Sequence, residues 1–526
     1  MKKIGIDFGT TNSTIAYRNE QGNISGYRFG GGGGKEYIPS AIAYPKDSRD
    51  SEEVRIGEAA QTVHRTDPDD YYYYEFYKLA LCNSYTRILN AEHGKRVIDV
   101  VKDYLHLLIV RYKWEQFVAE TDRSAKLEHI VLALPNVISD DLIADAEAVK
   151  DELQDFLDTE AEESQFRGEA SCACEFYVSR PKNQGFTGTI IVVDYGGGTL
   201  DISNCRITRS GSEANIAIVV QKGTSVDDRN TFGFAGVAFD QGVVRSIPEI
   251  AMRNLSKPEL AEYAVAFERY KIENHDEIRN RLNKYYSEGG DIKPLNCELK
   301  GQRYTLDIPF LHDIFEQVNQ PLLKKYFDEV VPEDERRNGA AAEQDTFRVL
   351  LIGGFSQLPC VEKAVKDFLN IDLAELYDKR IAHVNVNEKF IAVAHGAAIY
   401  GEKAGDAPEI CLFEIGVKAF DGQETYNDVM VRENTELKAL REVQWSAPYY
   451  IVDPAKGNVT VYCRTSAGGE QTVRLDIAEV CTASCRVRLG VITRGRRYTL
   501  HIQNIDTNTE CMRDISALIA DYRNRN

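Results

Sequence analysis

Two short stretches of the chain carry residues suited to holding a polyphosphate. Ile4-Gly5-Ile6-Asp7-Phe8-Gly9-Thr10-Thr11-Asn12-Ser13 lies at the start, and Ile190-Ile191-Val192-Val193-Asp194-Tyr195-Gly196-Gly197-Gly198-Thr199-Leu200-Asp201 repeats its logic near the middle. Each reads as an apolar strand, an aspartate at the strand end, a glycine turn, threonine and a second strand. A phosphate chain needs backbone N–H groups that no side chain obstructs. Gly9 allows that approach in the first turn, and Thr10 and Thr11 add hydroxyls. Asp7 can hold the waters of a magnesium ion, which keeps most of its hydration shell. In the second turn Gly196, Gly197 and Gly198 allow still closer approach, and Thr199 adds a hydroxyl. Asp194 and Asp201 flank that turn and can serve the metal or an attacking water. Two such hairpins face to face would grip one polyphosphate from both sides.

A third stretch, Val349-Leu350-Leu351-Ile352-Gly353-Gly354-Phe355-Ser356-Gln357-Leu358-Pro359, runs from an apolar strand through a Gly-Gly turn into a helix. There a flat base or a ribose can lie against backbone. None of the three is a Walker loop, because no G-x4-G-K-[ST] is present. Gly196-Gly197-Gly198 is no dinucleotide fingerprint either, because a strand follows it and not a helix.

These motifs must be positioned by an alternating α/β framework. Strands are expected at Lys3–Ile6, Ser13–Tyr17, Ile38–Tyr44, His129–Leu134 and Ile216–Lys222. Helices are expected at Glu58–Leu81, Val97–Glu120, Asp140–Leu157 (with Asp140 as N-cap), Val243–Asn254, Lys257–Asn274, Pro309–Val331, Leu358–Phe368 and Ala392–Tyr400. Glu333–Gln344 reads as an exposed connection. From Glu409 onward the texture changes to short alternating runs: Val429–Arg432, Val443–Ser446, Val459–Arg464, Val473–Ile477, Arg486–Val491 and Tyr498–Gln503. Glycine and Asn/Asp turns separate them, the pattern of an all-β sandwich.

The whole chain sets bounds on this reading. Its 526 residues suggest about two to four domains. A net charge of -19 disfavours nucleic acid and anionic membranes, whose binding rests on Lys and Arg neutralising phosphate. Asp7 interrupts the first apolar run too early for a signal peptide, and no run is long enough to span a membrane, so a cytoplasmic location is expected. Eleven cysteines are too sparse for a disulfide scaffold, and free thiols are expected throughout, including the close pairs Cys172/Cys174 and Cys481/Cys485.

Taken in order, the three motifs resemble the actin/hexokinase/heat-shock ATPase superfamily. Ile6-Asp7-Phe8-Gly9-Thr10-Thr11-Asn12-Ser13, Ile38-Pro39-Ser40-Ala41-Ile42-Ala43-Tyr44, Asp194-Tyr195-Gly196-Gly197-Gly198-Thr199-Leu200-Asp201 and His395-Gly396-Ala397-Ala398 are similar to the seventy-kilodalton heat-shock (DnaK-type) chaperones. The likeness is specific from Met1 to about Lys403 and looser to about Glu510. It implies a two-lobed actin-like ATPase domain built on duplicated ribonuclease H-like cores over 1–403, with lobe I at about 1–187 and lobe II at about 188–380 before a return to lobe I. A linker would follow at 404–414, a small all-β peptide-binding sandwich at 415–510, and a short helix at 511–526 in place of the family's long helical lid.

The resemblance further implies site residues. Asp7 and Asp194 would be the magnesium-water aspartates, with Gly9, Thr10, Thr11, Asn12, Gly196, Gly197, Gly198 and Thr199 around the phosphates of ATP or ADP. Lys78, Glu169 and Asp201 would be catalytic with Asp194, through the attacking water and the γ-phosphate. Gly236, Glu268, Lys271, Gly353 and Gly354 would line the nucleoside side. Departures stand out: Ile272 replaces the adenine-stacking arginine, and Phe355 and Gln357 replace a serine and an arginine. Slow ATP hydrolysis is the expectation, and these departures leave nucleotide affinity and base selectivity open.

Glu409-Ile410-Cys411-Leu412-Phe413-Glu414 resembles the family's apolar linker, so Ile410, Leu412 and Phe413, with the relay proline Pro135, are expected to couple the domains. The same run also fits the first sandwich strand. Trp445 and Val459 match peptide-binding positions, although Trp445 fits the sandwich core equally well. The implied function is an ATP-dependent chaperone in protein folding and the stress response. It would be a monomer that binds extended apolar peptides, with a J-domain co-chaperone and an exchange factor as partners. A small-molecule kinase or a filament or scaffold protein of the same superfamily is the alternative.

Overall fold

The computed structural model describes all residues except 1, 20, 31–33, 48–52, 117–124, 136–137, 139–144, 212, 224–234, 254, 291, 332–345, 371–380, 384–390, 402–410, 412, 421–422, 434, 436–439, 441–442, 447–448, 453–457, 465–469, 495–496, 517 and 519–526. Contacts divide the chain into two units, one built on Met1–Ile138 and Asp145–Lys403, the other running from Ala404 to Asn526.

The first unit is mixed α/β and contains two sheets with the same plan. In the first sheet Lys3–Phe8, Asn12–Arg18 and Ile24–Gly26 form an antiparallel meander, and Leu127–Leu134 and Ala161–Gly168 add in parallel on the other side of the first strand. In the second, Gly188–Tyr195, Leu200–Ser210 and Glu213–Gly223 make the meander, and Phe347–Ile352 and Ile381–His383 add in parallel. Of the parallel strands, Leu127–Leu134 and Phe347–Ile352 are mostly apolar and buried, as strands covered on both faces are, whereas Ala161–Gly168 is polar and only partly buried.

Tight packing joins the two sheets through the helices Ala392–Tyr400 and Glu169–Ser179. A Cβ on Gly5 would stand 2.3 Å from the Ala394 carbonyl, and one on Gly396 would stand 1.7 Å from the Cys172 carbonyl. Only glycine permits either approach. The small-residue run Ala392-Val393-Ala394-His395-Gly396-Ala397-Ala398 is therefore a packing requirement. Ala392, Val393 and Ala397 share one core with Val131 of the first sheet and with Ile190 and Leu350 of the second.

Several elements differ from expectation. Glu58–Leu81 is not one helix: Glu58–Thr66 is helical, Tyr71–Tyr74 is a strand paired with Ile42–Pro45, and Tyr77–Asn83 is a second helix. Four consecutive tyrosines favour a pleated strand, where their rings stack on neighbours. His64 lies on Tyr73 and His93 on Tyr72, with ring centres 4.0 and 4.7 Å apart. Ile38–Tyr44 divides into Ile38–Pro39 and Ile42–Pro45. Pro248 divides the expected Val243–Asn254 helix into Gly236–Ser246 and Pro248–Ala251, and Pro321 divides Pro309–Val331 at Asn319. The described part of the helix expected from Asp140 is Ala146–Glu160, and Asp140 and Glu333–Gln344 lie outside the described residues. His275–Glu288 and the hairpin Leu295–Leu299/Gln302–Leu306 were not anticipated.

The second unit contains two antiparallel sheets. One has the strand order Thr425–Val431, Glu414–Phe420, Asn458–Arg464, Glu470–Asp476; the other joins Gln444–Trp445 and Tyr450–Val452 to Cys485–Arg494, then Arg497–Asn504 and Thr509–Asp514. Ile415 and Val461 from one sheet share a core with Leu489 and Leu500 from the other. Cys511–Asp514, expected in a closing helix, continue the second sheet as its edge strand. Cys481 and Cys485 are joined as a disulfide, against the expectation of free thiols, and the other nine cysteines are free and buried.

Candidate active site

The first strand ends with Asp7 and Phe8, and the Phe8 ring is fixed between those of Tyr77 and Tyr104, both 5.8 Å away. The turn that follows is closed on itself, since a Cβ on Gly9 would stand 2.2 Å from the Asn12 carbonyl oxygen. Ser40 braces it from outside. Its hydroxyl donates to the Gly9 carbonyl at 2.7 Å, its N–H donates to the Thr11 carbonyl, and Ser13 Oγ lies 2.8 Å from Ser40 Oγ. The second turn is closed by the Gly196 N–H donating to the Thr199 carbonyl at 3.0 Å.

The glycine turns meet. A Cβ on Gly197 would stand 2.7 Å from Thr11 Cγ2, and one on Gly198 would stand 2.6 Å from Thr10 Cγ2. Behind the second turn, Gly236 lies against Gly197, and its N–H donates to the Gly196 carbonyl at 3.1 Å. Gly353, with φ +82°, presses on Asp194: a Cβ there would stand 2.6 Å from Asp194 Oδ1. Motifs far apart in sequence thus converge because each lacks a side chain where the next one arrives.

Lys78 enters from the helix Tyr77–Asn83, which Phe76 starts in the left-handed region at φ 56°. Its ammonium lies 5.7 Å from the Phe8 ring centre and donates to Glu169 Oε1 at 2.6 Å. Both side chains are buried, at 5% and 9% exposure. Glu169 is the first residue of its helix, where the helix dipole favours a carboxylate.

One lysine therefore stands among four carboxylates. Burial pushes the Asp7 carboxyl far up, Glu169 and Asp194 add to it, and Lys78 opposes. Burial likewise raises Asp194, with Glu169 and Asp201 adding and Lys78 opposing. Asp201 is pushed up to about 8 by burial and then Glu169, against Lys78 and a hydrogen bond from Thr199. Burial alone would lower the Lys78 ammonium, but Glu169 and Asp7 outweigh it and hold it high.

This arrangement fits a magnesium-bound polyphosphate. Crowded carboxylates that raise one another are relieved by a cation, and Thr10 Oγ1 is a buried hydroxyl without a hydrogen-bond partner in the turn. Among the described residues no group of three His, Cys, Asp or Glu is placed to hold a metal directly.

Lys271, expected on a ribose, bonds both oxygens of Asp240, at 2.6 and 2.7 Å. Burial still pushes the Asp240 carboxyl up to about 7, with Lys271 opposing and Glu268 adding. Glu268 is half-buried beside this pair, and Gly354 adjoins Gly353 in the third turn. Asp240 and the bracing roles of Ser13 and Ser40 escaped sequence reasoning. Asp240 follows Gly236 by one helical turn, a spacing that could have drawn attention to it.

Pro135 is buried at the end of Leu127–Leu134, and its carbonyl accepts from the Ile138 N–H at 3.0 Å. Ile410 and Leu412 lie outside the described residues. Phe413, expected in the linker, is 3% exposed and packs with Cys411 in the core of the second unit, one residue before the strand Glu414–Phe420. Val459 belongs to that core too. Trp445 does not: it pairs with Gly490 on the opposite face of its sheet, flanked by the Arg488 guanidinium at 5.7 Å and the His501 ring at 6.2 Å. Val459 and Trp445 thus do not line one groove. No helix among the described residues is long and apolar enough to cross a membrane.

Comparison with known proteins agrees with this geometry. The family model described as Hsp70 protein matches residues 181–436, a span that includes the second and third glycine motifs. The chaperone protein DnaK of Stenotrophomonas maltophilia (strain R551-3) is 25% identical over 444 residues, covering 79% of this chain. The match spans 62% of the length of that relative. By these similarities, and by the glycine turns that the fold brings together, the chain is similar to the Hsp70 family.

Proposed function

We propose that the chain is an ATP-dependent chaperone that binds and hydrolyses Mg-ATP between two lobes, each built on one of the paired sheets. The observation that carries this reading is the contact of Gly197 with Thr11 and of Gly198 with Thr10. Thr10, Thr11 and Thr199 offer hydroxyls, and Gly9 and Gly196–Gly198 offer backbone N–H groups, to a phosphate chain lodged at the meeting of the turns. Asp7 and Asp194 hold the hydration shell of the cation. Magnesium, when bound, neutralises charge that develops on the phosphates. Lys78, kept charged by its carboxylate neighbours, supplies the positive charge of the site and is oriented by Glu169. Asp201, paired across the second hairpin with Asp194, is suited to orient the attacking water.

The second unit is proposed to be a β-sandwich that takes extended apolar segments of other proteins, with 404–414 carrying the nucleotide state to it. The two sheets with one shared core support that reading. A J-domain partner and an exchange factor are proposed from the likeness to DnaK. Steady-state ATP turnover with and without an apolar heptapeptide tests the whole: stimulation by peptide is expected, and turnover indifferent to peptide removes the chaperone coupling.

A further inference from the structure

The first glycine turn is held by its carbonyls. Ser40 Oγ donates to the Gly9 carbonyl at 2.7 Å, and the Ser40 N–H donates to that of Thr11 at 2.9 Å. A hydroxyl carries one proton, and that of Ser40 is engaged by Gly9. Ser13 Oγ, 2.8 Å from Ser40 Oγ, is therefore the donor in their contact. Ser40 is itself fixed in place. Ile38 and Pro39 pair with Ser13 and Asn12 as a short strand, and the Tyr104 hydroxyl donates to the Pro39 carbonyl at 3.2 Å. The side chains of Ser13, Ser40 and Tyr104 are all buried.

A different element holds the second turn in the same way. The Gly236 N–H donates to the Gly196 carbonyl at 3.1 Å, and the Val237 N–H donates to the Gly197 carbonyl at 2.8 Å. Gly236 and Val237 open the helix Gly236–Ser246, and the first N–H groups of a helix have no acceptor within it. In a trans peptide the C=O of one residue and the N–H of the next point in opposite directions. The Gly9 carbonyl, pinned by Ser40, therefore aims the Thr10 N–H away from Ser40. The Gly196 and Gly197 carbonyls, pinned by the helix, aim the N–H groups of Gly197 and Gly198 away from it.

We propose that Ser40 is a positioning residue for phosphate binding, which acts through the Gly9–Thr10 peptide by presenting the Thr10 N–H to the phosphate chain opposite the N–H groups of Gly197 and Gly198. The inference rests on the nucleotide reading above and deepens it. A peptide able to rotate would offer the ligand its carbonyl oxygen as readily as its N–H, and that oxygen repels a phosphate. Donors fixed in advance bind without paying for that reorientation.

The test is the affinity of the full chain for Mg-ATP, read by displacement of a fluorescent ATP analogue, beside the melting temperature without nucleotide. Ser40→Ala is expected to weaken Mg-ATP about tenfold. Ser40→Thr keeps the hydroxyl and should bind within about threefold of wild type. Tyr104→Phe removes an equally buried hydroxyl whose bond goes to Pro39 and not to the turn. It should lower the melting temperature as Ser40→Ala does and leave the affinity within about threefold of wild type. Equal weakening by Tyr104→Phe and Ser40→Ala, or none by Ser40→Ala, overturns the proposal and leaves the Mg-ATP reading standing. Failure of the wild-type chain to bind the analogue overturns both. A second measurement needs no variant: amide hydrogen exchange resolved to Thr10 should slow when Mg-ATP is added to the wild-type chain, and exchange there that ignores Mg-ATP overturns the aim assigned to that N–H.

Discussion

Thr11 Cγ2 lies 2.7 Å from the point a Cβ would occupy on Gly197, so the methyl of one turn fills the space that the missing side chain of the other leaves. Gly197→Ala must push the two turns apart. A shift of this kind at a phosphate site is expected to slow single-turnover ATP hydrolysis roughly ten- to a hundredfold. Adding Thr11→Ser, which removes the methyl and keeps the hydroxyl, should restore most of the loss. Gly185→Ala, where a Cβ meets nothing within 4 Å, should leave turnover unchanged. Wild-type turnover in Gly197→Ala alone would show that the contact is not functional.

Lys78→Met leaves Glu169 buried without its counter-charge. Breaking a buried pair on one side costs about 3–5 kcal/mol, and ATP turnover should fall about a hundredfold or more as the positive charge is lost. The double change Lys78→Met with Glu169→Gln should regain much of the stability and none of the turnover. Urea unfolding beside a turnover assay separates the two effects.

Stability without nucleotide should decline as pH rises from 6 to 8.5. Asp201 holds its proton up to about 8 in the folded chain, against an ordinary value of 3.8. Between those values the folded state binds a proton that the unfolded state has released. Its stabilising contribution is complete below 3.8 and lost as pH climbs through 8. Asp7, Asp194 and Asp240 are raised as well and act in the same direction. Melting temperature against pH reads the slope, which Asp201→Asn should flatten. A slope of the opposite sign would contradict the crowding of carboxylates.

Val459→Ala and Trp445→Ala should behave differently. Val459 is buried in the core of the second unit, and its truncation is expected to cost about 1–3 kcal/mol by denaturant unfolding. Trp445 lies outside that core, and its loss should change stability by less than about 1 kcal/mol. Equal losses would mean that Trp445 is a core residue after all.

Thiol titration of the denatured chain gives a direct count. Nine thiols are expected before reduction and eleven after it. Eleven at the outset would mean that Cys481 and Cys485 are unpaired.

Much of the site was legible because glycine and aspartate at strand ends have few other uses. Asp7, Gly9, Asp194 and Gly197 announce a turn that something must approach closely, and residues 130–134 and 349–352 announce their strands by unbroken apolar runs, which the polar strand Ala161–Gly168 lacks. Lys78 and Glu169 were reached through family likeness, since an isolated lysine on a helix has no local signature. What stayed hidden depends on partners remote in sequence. Tyr71–Tyr74 became a strand because Ile42–Pro45 offered an edge, and Cys511–Asp514 did so because Arg497–Asn504 did. The hairpin at Leu295–Leu306 was readable in principle: its burial alternates residue by residue, and Lys300 and Gly301 both adopt positive φ, as a two-residue hairpin turn requires. The engagement of Lys271 by Asp240 could not be read, because the two sit on different helices and only packing brings them together.

Gly5 accepts the backbone of Ala394 and Ala398 against its bare α-carbon, so the opening strand is completed by a helix made almost at the far end of its unit. During synthesis the phosphate loop after Phe8 therefore waits for the helix Ala392–Tyr400, made at the far end of its unit. A nascent chain halted before Ala392 holds every nucleotide contact named here and still lacks the wedge that closes them. Nucleotide binding by such stalled chains should switch on late and abruptly, which makes ligand capture a timer for completed translation of the unit.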